Sequence, residues 1–489
     1  MKDSVFYQIF PDRFATSTRV EKPSHLEQWD AAPTTHGFKG GDLLGVAERL
    51  DYLQDLGVTA LYLNPIFTST ANHRYHTFDY FSVDPILGGN EAFRELLGGA
   101  HARGIRVILD GVFNHASRGF YQFNHTLENG ASSPYLDWFH FDPKRLAAGR
   151  PIEAYPKTGP RRSSLEELGY KAWWDLPALP KLNTDNPAVR RFIMEVARHW
   201  IRFGIDGWRL DVPGEINDDS FWQEFRGVVK AENPEAYIVG EIWEDARRWL
   251  SGDQFDAVMN YMLAKPVISY FANTLDLAEA RKSGGYHNLA PMDQAHFAKA
   301  IEDLLAMYEP EVTQAQLNLL DSHDTPRFLT IAKGDEATLR LAVLFVFTFP
   351  GAPCIYYGDE IGLSGGHDPD CRRAFPWDPA RWNAGLLDYY KRCIGLRKSH
   401  PALRRGGYRV LHCANDVYAF ERVVNAERVI VVLNLGRQSG RLSLALHGAR
   451  PQAMFKDAWS DVRYGASDGE LRDIALAPRA GLVLEEVSA

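Results

Sequence analysis

Carboxyl groups that could cleave a bond stand at the ends of short hydrophobic runs in this sequence. Asp211 follows "GWRL", Glu241 follows "YIVG", and Asp324 ends the stretch "DSHD". One carboxylate can attack a sugar carbon, a second carboxyl group can protonate the leaving oxygen, and further polar groups can hold the sugar. Neither a phosphate-binding loop nor a metal-ligand motif accompanies them. Glycoside hydrolysis is therefore the chemistry that these residue types favour.

Arg209 and Asp211 are two positions apart on a predicted strand, so their side chains share a face. A guanidinium beside Asp211 would keep that carboxylate ionised and lower its pKa, as a nucleophile requires. The apolar neighbours Ile242 and Trp243 would raise the pKa of Glu241 and suit it to act as an acid. Taken alone, the first pair could equally be an ion pair that closes a strand.

Eight β-branched or aromatic runs can supply the strands that position these residues. They lie at 4–10, 58–63, 105–109, 205–210, 236–240, 255–260, 317–320 and 354–357. Most are separated by helical patterns, the clearest of which has Asn186 as N-cap, Pro187 as first residue and Gly204 as C-cap. Its apolar residues recur with helical period and are Phe192, Ile193, Val196, Ala197, Trp200 and Ile201. The repeated strand and helix predict an α/β fold, a (β/α)8 TIM barrel.

Such a barrel would bring several polar side chains into one cleft at the carboxyl ends of its strands. A single aspartate at a strand end is most often a helix cap or a turn former. Here the polar residues follow several different strands, and they are His115, Arg209, Asp211, Glu241, His323 and Asp324. That coincidence favours an active site over a set of unrelated turns.

Two segments do not follow the alternation of strand and helix that a barrel requires. We predict a catalytic barrel at 1–115 and 181–403, an inserted domain at 116–180 and a C-terminal antiparallel all-β domain, a β-sandwich, at 404–489. The insert is rich in aromatic residues, including Phe120, Tyr121, Trp138, Phe139, Trp173 and Trp174. These rings would most simply fill a small core, and the alternative is that they stack on a ligand.

The composition excludes several classes of partner. Of 489 residues, 45% are hydrophobic and 24% are charged, as in a folded, water-soluble protein. Acidic residues (63) outnumber basic ones (54), so we expect no nucleic-acid partner. No apolar run has the length of a signal peptide or a membrane span, and the four cysteines show no CxxC spacing. We therefore expect a cytoplasmic protein with isolated thiols and no membrane partner.

Several stretches together resemble the α-amylase family of glycoside hydrolases. "DGVFNH", "GWRLDV", "GEIW" and "LLDSHDT" resemble the family's four conserved regions, in the family's order. "LPKLN" (179–183) resembles the short region that marks its neopullulanase, cyclomaltodextrinase and maltogenic amylase-like branch. The match continues in "YQIFPDRF", "FKGGDLLGV", "YHTFDYF" and "GGHDPDCRRAFPWD". The resemblance implies a TIM-barrel enzyme whose substrate is an α-glucan.

The resemblance also implies a role for each matching residue. Asp211 would be the nucleophile, Glu241 the acid and then the base, and Asp324 the group that binds sugar hydroxyls and helps to distort the ring. The configuration would be retained. The residues expected to contact substrate are Tyr75, His115, Arg209, Glu215, Trp243, His323, Asp368 and Arg372. Asp110 and Asn114 would hold the substrate-contacting residues in place without touching the substrate themselves.

Departures from the family pattern lead to further expectations. Gly214 and Glu215 stand where many members have a lysine and a histidine whose backbone holds a structural calcium, so we expect no metal site and no required cofactor. The branch's extra amino-terminal domain is expected to be absent, because "YQIFPDRF" begins near the start of the sequence. We therefore expect a monomer with an open cleft that accepts starch and linear maltodextrins as well as small rings.

Three functions stay open at the level of the sequence. The first is a retaining hydrolase that cleaves α-1,4 and also α-1,6 bonds in maltodextrins, cyclomaltodextrins, pullulan or starch. The second is a transglycosylase or an α-1,6-glucosidase of the same family. Transfer stays open because it differs from hydrolysis only in whether a sugar or water reacts with the intermediate. The third is a non-catalytic sugar-binding relative, which the presence of all three carboxyl residues disfavours.

Overall fold

The computed structural model describes residues 1–272, 275–448 and 452–487. In these ranges the strands are β1 (Phe6–Ile9), β2 (Ala60–Leu63), β3 (Phe67–Ser69), β4 (Thr77–Val83), β5 (Arg106–Gly111), β6 (Gly207–Leu210), β7 (Tyr237–Gly240), β8 (Ala257–Val258), β9 (Leu317–Asn318), β10 (Ala352–Tyr356), β11 (Gly407–Ala414), β12 (Val417–Val424), β13 (Glu427–Asn434), β14 (Gly440–Ala445), β15 (Met454–Asp457), β16 (Arg463–Ser467), β17 (Glu470–Leu476) and β18 (Ala480–Val487). The helices are α1 (Pro11–Phe14), α2 (Leu43–Ala47), α3 (Leu50–Leu56), α4 (Gly89–Ala102), α5 (Tyr121–Asn129), α6 (Pro143–Ala147), α7 (Ser164–Leu168), α8 (Pro187–Phe203), α9 (Asp219–Glu232), α10 (Tyr261–Phe271), α11 (Leu277–Ala280), α12 (Gln294–Met307), α13 (Pro310–Thr313), α14 (Phe328–Ile331), α15 (Glu336–Thr348), α16 (Ala384–Ser399) and α17 (Pro401–Arg405).

Eight parallel strands form the barrel. Their order is β8, β7, β6, β5, β2, β1, β10, β9, and a parallel bridge between Met259 and Leu317 joins the two edges. Strands β1, β2, β6 and β7 are buried along their whole length, as expected for parallel strands that are covered on both faces. Each of the eight predicted runs overlaps one strand of this barrel, so the predicted fold is confirmed.

Helix α8 follows its sequence signals closely. The side chain of Asn186 accepts a hydrogen bond from the backbone N–H of Ala188 at 2.7 Å, Pro187 is the first helical residue, and Gly204 ends the helix with a φ of 121°. The predicted apolar stripe is buried except for Phe192, which is half-buried. Within the described ranges, no helix combines the length and the apolar character needed to cross a bilayer.

The insert (residues 116–180) lies between β5 and α8 and consists of short helices and turns. Its buried aromatic residues are Phe120, Phe123, Phe139 and Tyr170. Isolated bridges tie its ends to the barrel, one of them between His115 and Lys181. Tyr121 is 62% exposed and Trp174 is 74% exposed, so the predicted aromatic core includes only some of the rings.

The C-terminal strands form a separate antiparallel sheet in the order β11, β12, β13, β18, β15, β16, β17, β14. Residues of β12 and β13, such as Ala419 and Val432, share a hydrophobic core with Leu444 of β14 and Ile474 of β17. The two halves of the sheet therefore enclose one common core. The antiparallel all-β prediction for this part of the chain is confirmed.

Two buried arginines share the carbonyl of Leu403, and one of them, Arg422, joins this sheet to the barrel. Arg422 of β12 donates to the carbonyl of Thr348 at the end of α15, and to the carbonyls of Leu403 and Gly406, each of the latter two at 2.9 Å. Arg397 of α16 donates to five backbone carbonyls, which belong to Lys2, Phe347, Phe349, Gly351 and Leu403. Burial lowers the pKa of both guanidinium groups to about 9.

Candidate active site

The ends of neighbouring barrel strands bring the predicted acids together. Asp211 follows β6, and its backbone N–H donates to the carbonyl of Gly111 at 3.0 Å. Glu241 follows β7, and its N–H donates to the carbonyl of Leu210 at 2.9 Å. These bonds continue the parallel ladder one residue beyond each strand. The backbone of the barrel therefore fixes the positions of both residues.

Arg209 lies among three carboxyl groups and is completely buried. Its Nη1 lies 2.8 Å from Oδ1 of Asp110 and 3.0 Å from Oδ1 of Asp211, and its Nη2 lies 3.0 Å from Oε2 of Glu241. We call Asp110, Asp211 and Glu241 the carboxyl cluster. The sequence predicts the contact with Asp211 but not the other two.

The charge balance of the carboxyl cluster differs from the sequence prediction. Burial raises the pKa of all three carboxyl groups, although Arg209 acts in the opposite direction on each. One cation cannot balance three buried carboxylates, so the cluster as a whole retains a proton more readily than isolated carboxyl groups do. The predicted low pKa of Asp211 is wrong, because burial and the neighbouring carboxyl groups of Glu241 and Asp110 raise the pKa by more than Arg209 lowers it. The predicted rise in the pKa of Glu241 agrees with the structure.

Glu241 accepts two N–H groups in addition to its contact with Arg209. The backbone N–H of Val212 donates to Oε2 at 3.1 Å, and the indole N–H of Trp243 donates to Oε1 at 3.0 Å. Trp243 thus contacts the carboxyl group with its polar edge, whereas the sequence predicts only apolar cover. Val212 has a φ of 36°, which is rare for a β-branched residue and marks local backbone strain.

Tyr75 and His323 extend the network beyond the carboxyl cluster. The hydroxyl of Tyr75 lies 2.8 Å from Oδ2 of Asp110 and 2.6 Å from Nε2 of His323. The amide nitrogen of Gln8 can only donate, and it lies 2.9 Å from Nδ1 of His323. Burial lowers the pKa of His323 well below its usual value, so the ring is neutral and carries its proton on Nε2. That nitrogen lies 3.1 Å from Oδ2 of Asp324.

Known proteins share this sequence pattern over nearly the whole chain. The alpha amylase catalytic-domain family matches residues 8–406. The chain belongs to the alpha-amylase family. Neopullulanase 2 of Thermoactinomyces vulgaris is 44% identical over an alignment of 491 positions, which covers 99% of this chain and 77% of that protein.

Solved structures of similar proteins share the fold of this alpha-amylase family member. Ttha1563 from Thermus thermophilus is 48% identical, with a TM-score of 0.92 and 99% of each chain covered. The native debranching enzyme of Nostoc punctiforme is 47% identical, with a TM-score of 0.87, and the match covers 99% of this chain and 98% of that one. The resemblance inferred from the motifs is confirmed.

Arg372 joins two further acids at the site. Its Nη1 lies 3.0 Å from Oδ1 of Asp368 and its Nη2 lies 3.3 Å from Oδ1 of Asp324, while Nε donates to the carbonyl of His323 at 2.8 Å. The side chain of Asp324 is 33% exposed, compared with 8% for Asp211. Asp324 is therefore the most accessible of the three predicted catalytic acids.

His115 begins a stack of three aromatic rings. Trp173 lies parallel to it with 5.0 Å between ring centroids, and Trp174 lies on Trp173 at 4.5 Å. Trp174 has a φ of 49° and reaches the surface, so the stack runs from the buried barrel to solvent. Burial lowers the pKa of His115 to about 3, so its ring is neutral. Its Nε2 has no hydrogen-bond partner among the described residues, and a ligand hydroxyl could supply one.

Glu215 contacts a lysine rather than the carboxyl cluster. Nζ of Lys181, in the "LPKLN" stretch, lies 2.8 Å from the backbone oxygen of Glu215 and 3.3 Å from its Oε2. An ammonium group thus binds the carbonyl that the family resemblance associates with calcium, and this turn does not fit that ion. In the described parts of the chain, no three His, Cys, Asp or Glu side chains are grouped as metal ligands.

The sequence missed several supporting residues. Tyr62 donates to Oδ2 of Asp110 at 2.8 Å, and Asn64 donates to the hydroxyl of Tyr75 at 3.0 Å. The side-chain amide of Gln8 donates a hydrogen bond to Nδ1 of His323. All three are polar residues in or just after otherwise hydrophobic strands, β1 and β2, and that pattern could have identified them. Asn114 lies where it was expected, with its Nδ2 3.2 Å from Nδ1 of His115.

Proposed function

We propose that the protein hydrolyses α-glucosidic bonds in maltodextrins, cyclomaltodextrins, pullulan or starch with retention of configuration. One observation carries the proposal: Asp211 and Glu241 contact the two terminal nitrogens of the same guanidinium, each at 3.0 Å. The two carboxyl groups therefore face one shared cation from neighbouring strands, which supports a short separation between them. Retaining glycosidases hold such a pair about 5 Å apart, whereas inverting enzymes need roughly 6.5–9.5 Å to admit a water between them.

The first step forms a covalent intermediate. Asp211 attacks the anomeric carbon while Glu241 gives its proton to the glycosidic oxygen, which leaves with the remainder of the glucan. Oδ2 of Asp211 is buried and has no hydrogen-bond partner among the described residues, so no other contact competes with the attack. In the second step, the Glu241 carboxylate takes a proton from water, and the resulting hydroxide displaces Asp211 from the sugar.

The surroundings of Glu241 suit an acid that later becomes a base. The cluster retains a proton because three buried carboxyl groups share one cation, and the reaction requires that proton on Glu241. After the proton has left, the N–H groups of Val212 and Trp243 stabilise the carboxylate. Before the attack, Asp211 is the ionised carboxylate and contacts Arg209.

The remaining polar residues would grip the sugar at the cleavage point. Asp324 is partly exposed and is held by Arg372 and by the neutral ring of His323, so its carboxylate can accept hydrogen bonds from two sugar hydroxyls. His115 offers a free Nε2 among the described residues. Hydrogen bonds of this kind strengthen as the ring distorts toward the oxocarbenium-like state.

Cleavage of α-1,6 bonds and transfer to sugar acceptors form the second candidate activity. Relatives named neopullulanase and debranching enzyme support the inclusion of α-1,6 bonds in the substrate range. Transfer would follow when a sugar, rather than water, occupies the space beside the glycosyl-enzyme bond. Both activities would use the same three acids as hydrolysis of α-1,4 bonds.

Product analysis tests these assignments directly. The purified protein should release glucose or maltose units from maltotriose, pullulan, soluble starch and a cyclomaltodextrin. Proton NMR during the first turnovers should show the α-anomer as the initial product. Products longer than maltotriose, formed from maltotriose alone, would identify transfer. Appearance of the β-anomer first, or the absence of cleavage with all four substrates, would contradict the proposal.

The location and the assembly are proposals as well. We place the enzyme in the cytoplasm, supported by cysteines that are free, three of which, Cys354, Cys371 and Cys393, are buried. We propose a monomer, for which light scattering on a size-exclusion column should return a mass near 55.2 kDa. Activity in the culture supernatant would contradict the first proposal, and twice that mass would contradict the second.

A further inference from the structure

A short segment after α10 contacts several parts of the active site. This segment (residues 276–289) contains α11 and a 3-10 turn at Gly284–Tyr286. Its Ser283 hydroxyl donates to the backbone oxygen of Asp324 at 2.9 Å. Its Glu279 accepts the backbone N–H of His367, the neighbour of Asp368, at 2.6 Å. We call residues 276–289 the flanking segment.

Gly285 of the flanking segment lies against the indole of Trp243. A Cβ atom built on Gly285 would lie 2.0 Å from Cζ3 and 2.2 Å from Cε3 of the indole ring. The ring of Tyr261 lies parallel to the indole, with 3.5 Å between centroids. Because Tyr261 is fully buried, it restricts movement of the indole toward it. Tyr261 and Gly285 therefore both limit where the indole can lie.

The indole of Trp243 contacts the acid Glu241 through its N–H. Its N–H donates to Oε1 of Glu241 at 3.0 Å, and this bond depends on the rotation of the indole between its two neighbours. The expectation from the sequence that Trp243 contacts substrate stays a prediction, and the bond from its N–H to Glu241 is a separate contact that the sequence did not predict.

We propose that Gly285 is a positioning residue for the reaction: it leaves just enough room for the indole of Trp243 to hold its N–H on the acid Glu241. The proposal rests on the proposed glycosidase function. It explains why a glycine is needed at this position, since any side chain would displace the ring. The φ angle of Gly285 is not in the left-handed region, so the requirement is one of space and not of backbone conformation.

The indole N–H stabilises the ionised form of Glu241 and so acts to lower its pKa against the larger effect of burial. Loss of this bond should therefore raise the pKa of the acid. In a retaining glycosidase, the alkaline limb of the pH profile of kcat/KM reports the loss of the acid's proton in the free enzyme. A displaced indole should consequently shift that limb to higher pH.

The test compares two adjacent glycines. In Gly285→Ala, kcat/KM on maltotriose should fall by roughly tenfold or more, and the alkaline limb should move upward. Gly284→Ala is the matched control, because a Cβ there meets no atom within 4 Å. It should leave both the rate and the pH profile of the full-length enzyme unchanged.

A second variant keeps the test decisive if Gly285→Ala folds poorly. Trp243→Phe retains a ring between Tyr261 and Gly285 but removes the N–H, and it should shift the alkaline limb in the same direction. If Gly285 acts through Trp243, the double variant should show the pH profile of Trp243→Phe, because the two effects cannot add.

An unchanged alkaline limb in Trp243→Phe, or additive shifts in the double variant, would overturn the proposal. Failure of the glycosidase assignment is distinguishable, because the unmodified enzyme would then release no sugar from maltotriose at any pH.

Discussion

The backbone N–H of Val212 lies 3.1 Å from Oε2 of Glu241. Val212 directly follows Asp211, so the residue next to the proposed nucleophile holds the proposed acid. Its φ of 36° shows that the chain accepts strain at this point. A backbone N–H and the Arg209 guanidinium therefore act together to set the separation of the two carboxyl groups. Substitution of Asp211 or Glu241 should therefore change catalysis without moving the backbone that carries them.

Asp211→Asn should lower kcat on maltotriose by at least about a thousandfold, because the amide cannot form the glycosyl-enzyme bond. The unfolding temperature should stay the same or rise, since the variant removes one of three buried acids that share Arg209. Initial rates and a thermal melt measure both effects. A variant that keeps more than about a tenth of the activity would show that Asp211 is not the nucleophile.

Glu241→Gln should slow the cleavage of maltotriose far more than that of an activated aryl α-maltoside. A good leaving group departs with little help from a proton, so only the poor leaving group needs the acid. The ratio of kcat/KM for the two substrates, measured in the variant and in the unmodified enzyme, gives the size of the effect. Equal losses on both substrates would count against Glu241 as the acid.

The stability of the enzyme should depend on pH through His400. Its Nδ1 lies 2.8 Å from Glu427 and its Nε2 lies 2.9 Å from Glu485. Burial lowers its pKa, but these two carboxylates together raise it by more, and the net shift is upward. The stabilisation is thus fully present below the unfolded pKa of about 6.5 and is lost as pH rises through the folded pKa.

Thermal melts of His400→Gln across pH 5–9 should accordingly show a flatter profile than the unmodified enzyme, with the largest deficit at acid pH. His412→Gln on β11 is a suitable control, because the Nε2 of His412 lies 3.2 Å from a backbone carbonyl, that of Ala414. A His400→Gln profile parallel to that of the unmodified enzyme would disprove the assignment.

Activity should persist in a chelator. Lys181 already binds the carbonyl oxygen of Glu215 at 2.8 Å, where a divalent cation would be repelled by the ammonium. Initial rates and unfolding temperatures before and after EDTA treatment should agree within error. A fall in unfolding temperature that calcium restores would reveal a metal site elsewhere in the protein.

Trp174→Ala should weaken the binding of long substrates. The exposed indole lies at the end of the stack that begins at His115, and loss of one sugar–aromatic contact would raise KM for maltoheptaose by about three- to tenfold. The KM for maltotriose should change less. Tyr155→Ala is the control, since Tyr155 is also exposed on the insert. If the KM for each oligosaccharide were the same in Trp174→Ala as in the unmodified enzyme, a role for Trp174 in binding would be refuted.

Local sequence signals correctly predicted the barrel strands and the helix α8. The caps of α8 and the eight strand runs follow from hydrogen-bonding and packing preferences that act within a few residues. Parallel strands in a barrel must end at one rim, and this rule alone was enough to bring Asp211, Glu241 and Asp324 to the same cleft.

The parts that the sequence did not predict depend on neighbours that are distant along the chain. Arg209 meets Asp110 because β5 and β6 are adjacent in the barrel. Burial, together with the nearby carboxyl groups of Glu241 and Asp110, raises the pKa of Asp211 and so reverses the expected shift. Likewise, the flanking segment reaches Trp243 from the far end of α10. Periodicity assigns a residue to a face, but it does not say which other side chain will lie opposite.

Arg422 carries a consequence for any attempt to dissect the enzyme. Its guanidinium is buried and satisfies backbone oxygens of Thr348, Leu403 and Gly406, the first of which belongs to a barrel helix. A chain cut at residue 406 would keep those carbonyls and lose Arg422, so Thr348 and Gly406 would lose this donor on a newly uncovered apolar surface, while Leu403 would keep its bond from Arg397. The catalytic barrel should therefore not survive as a minimal fragment, and the C-terminal sheet should be kept in every shortened version.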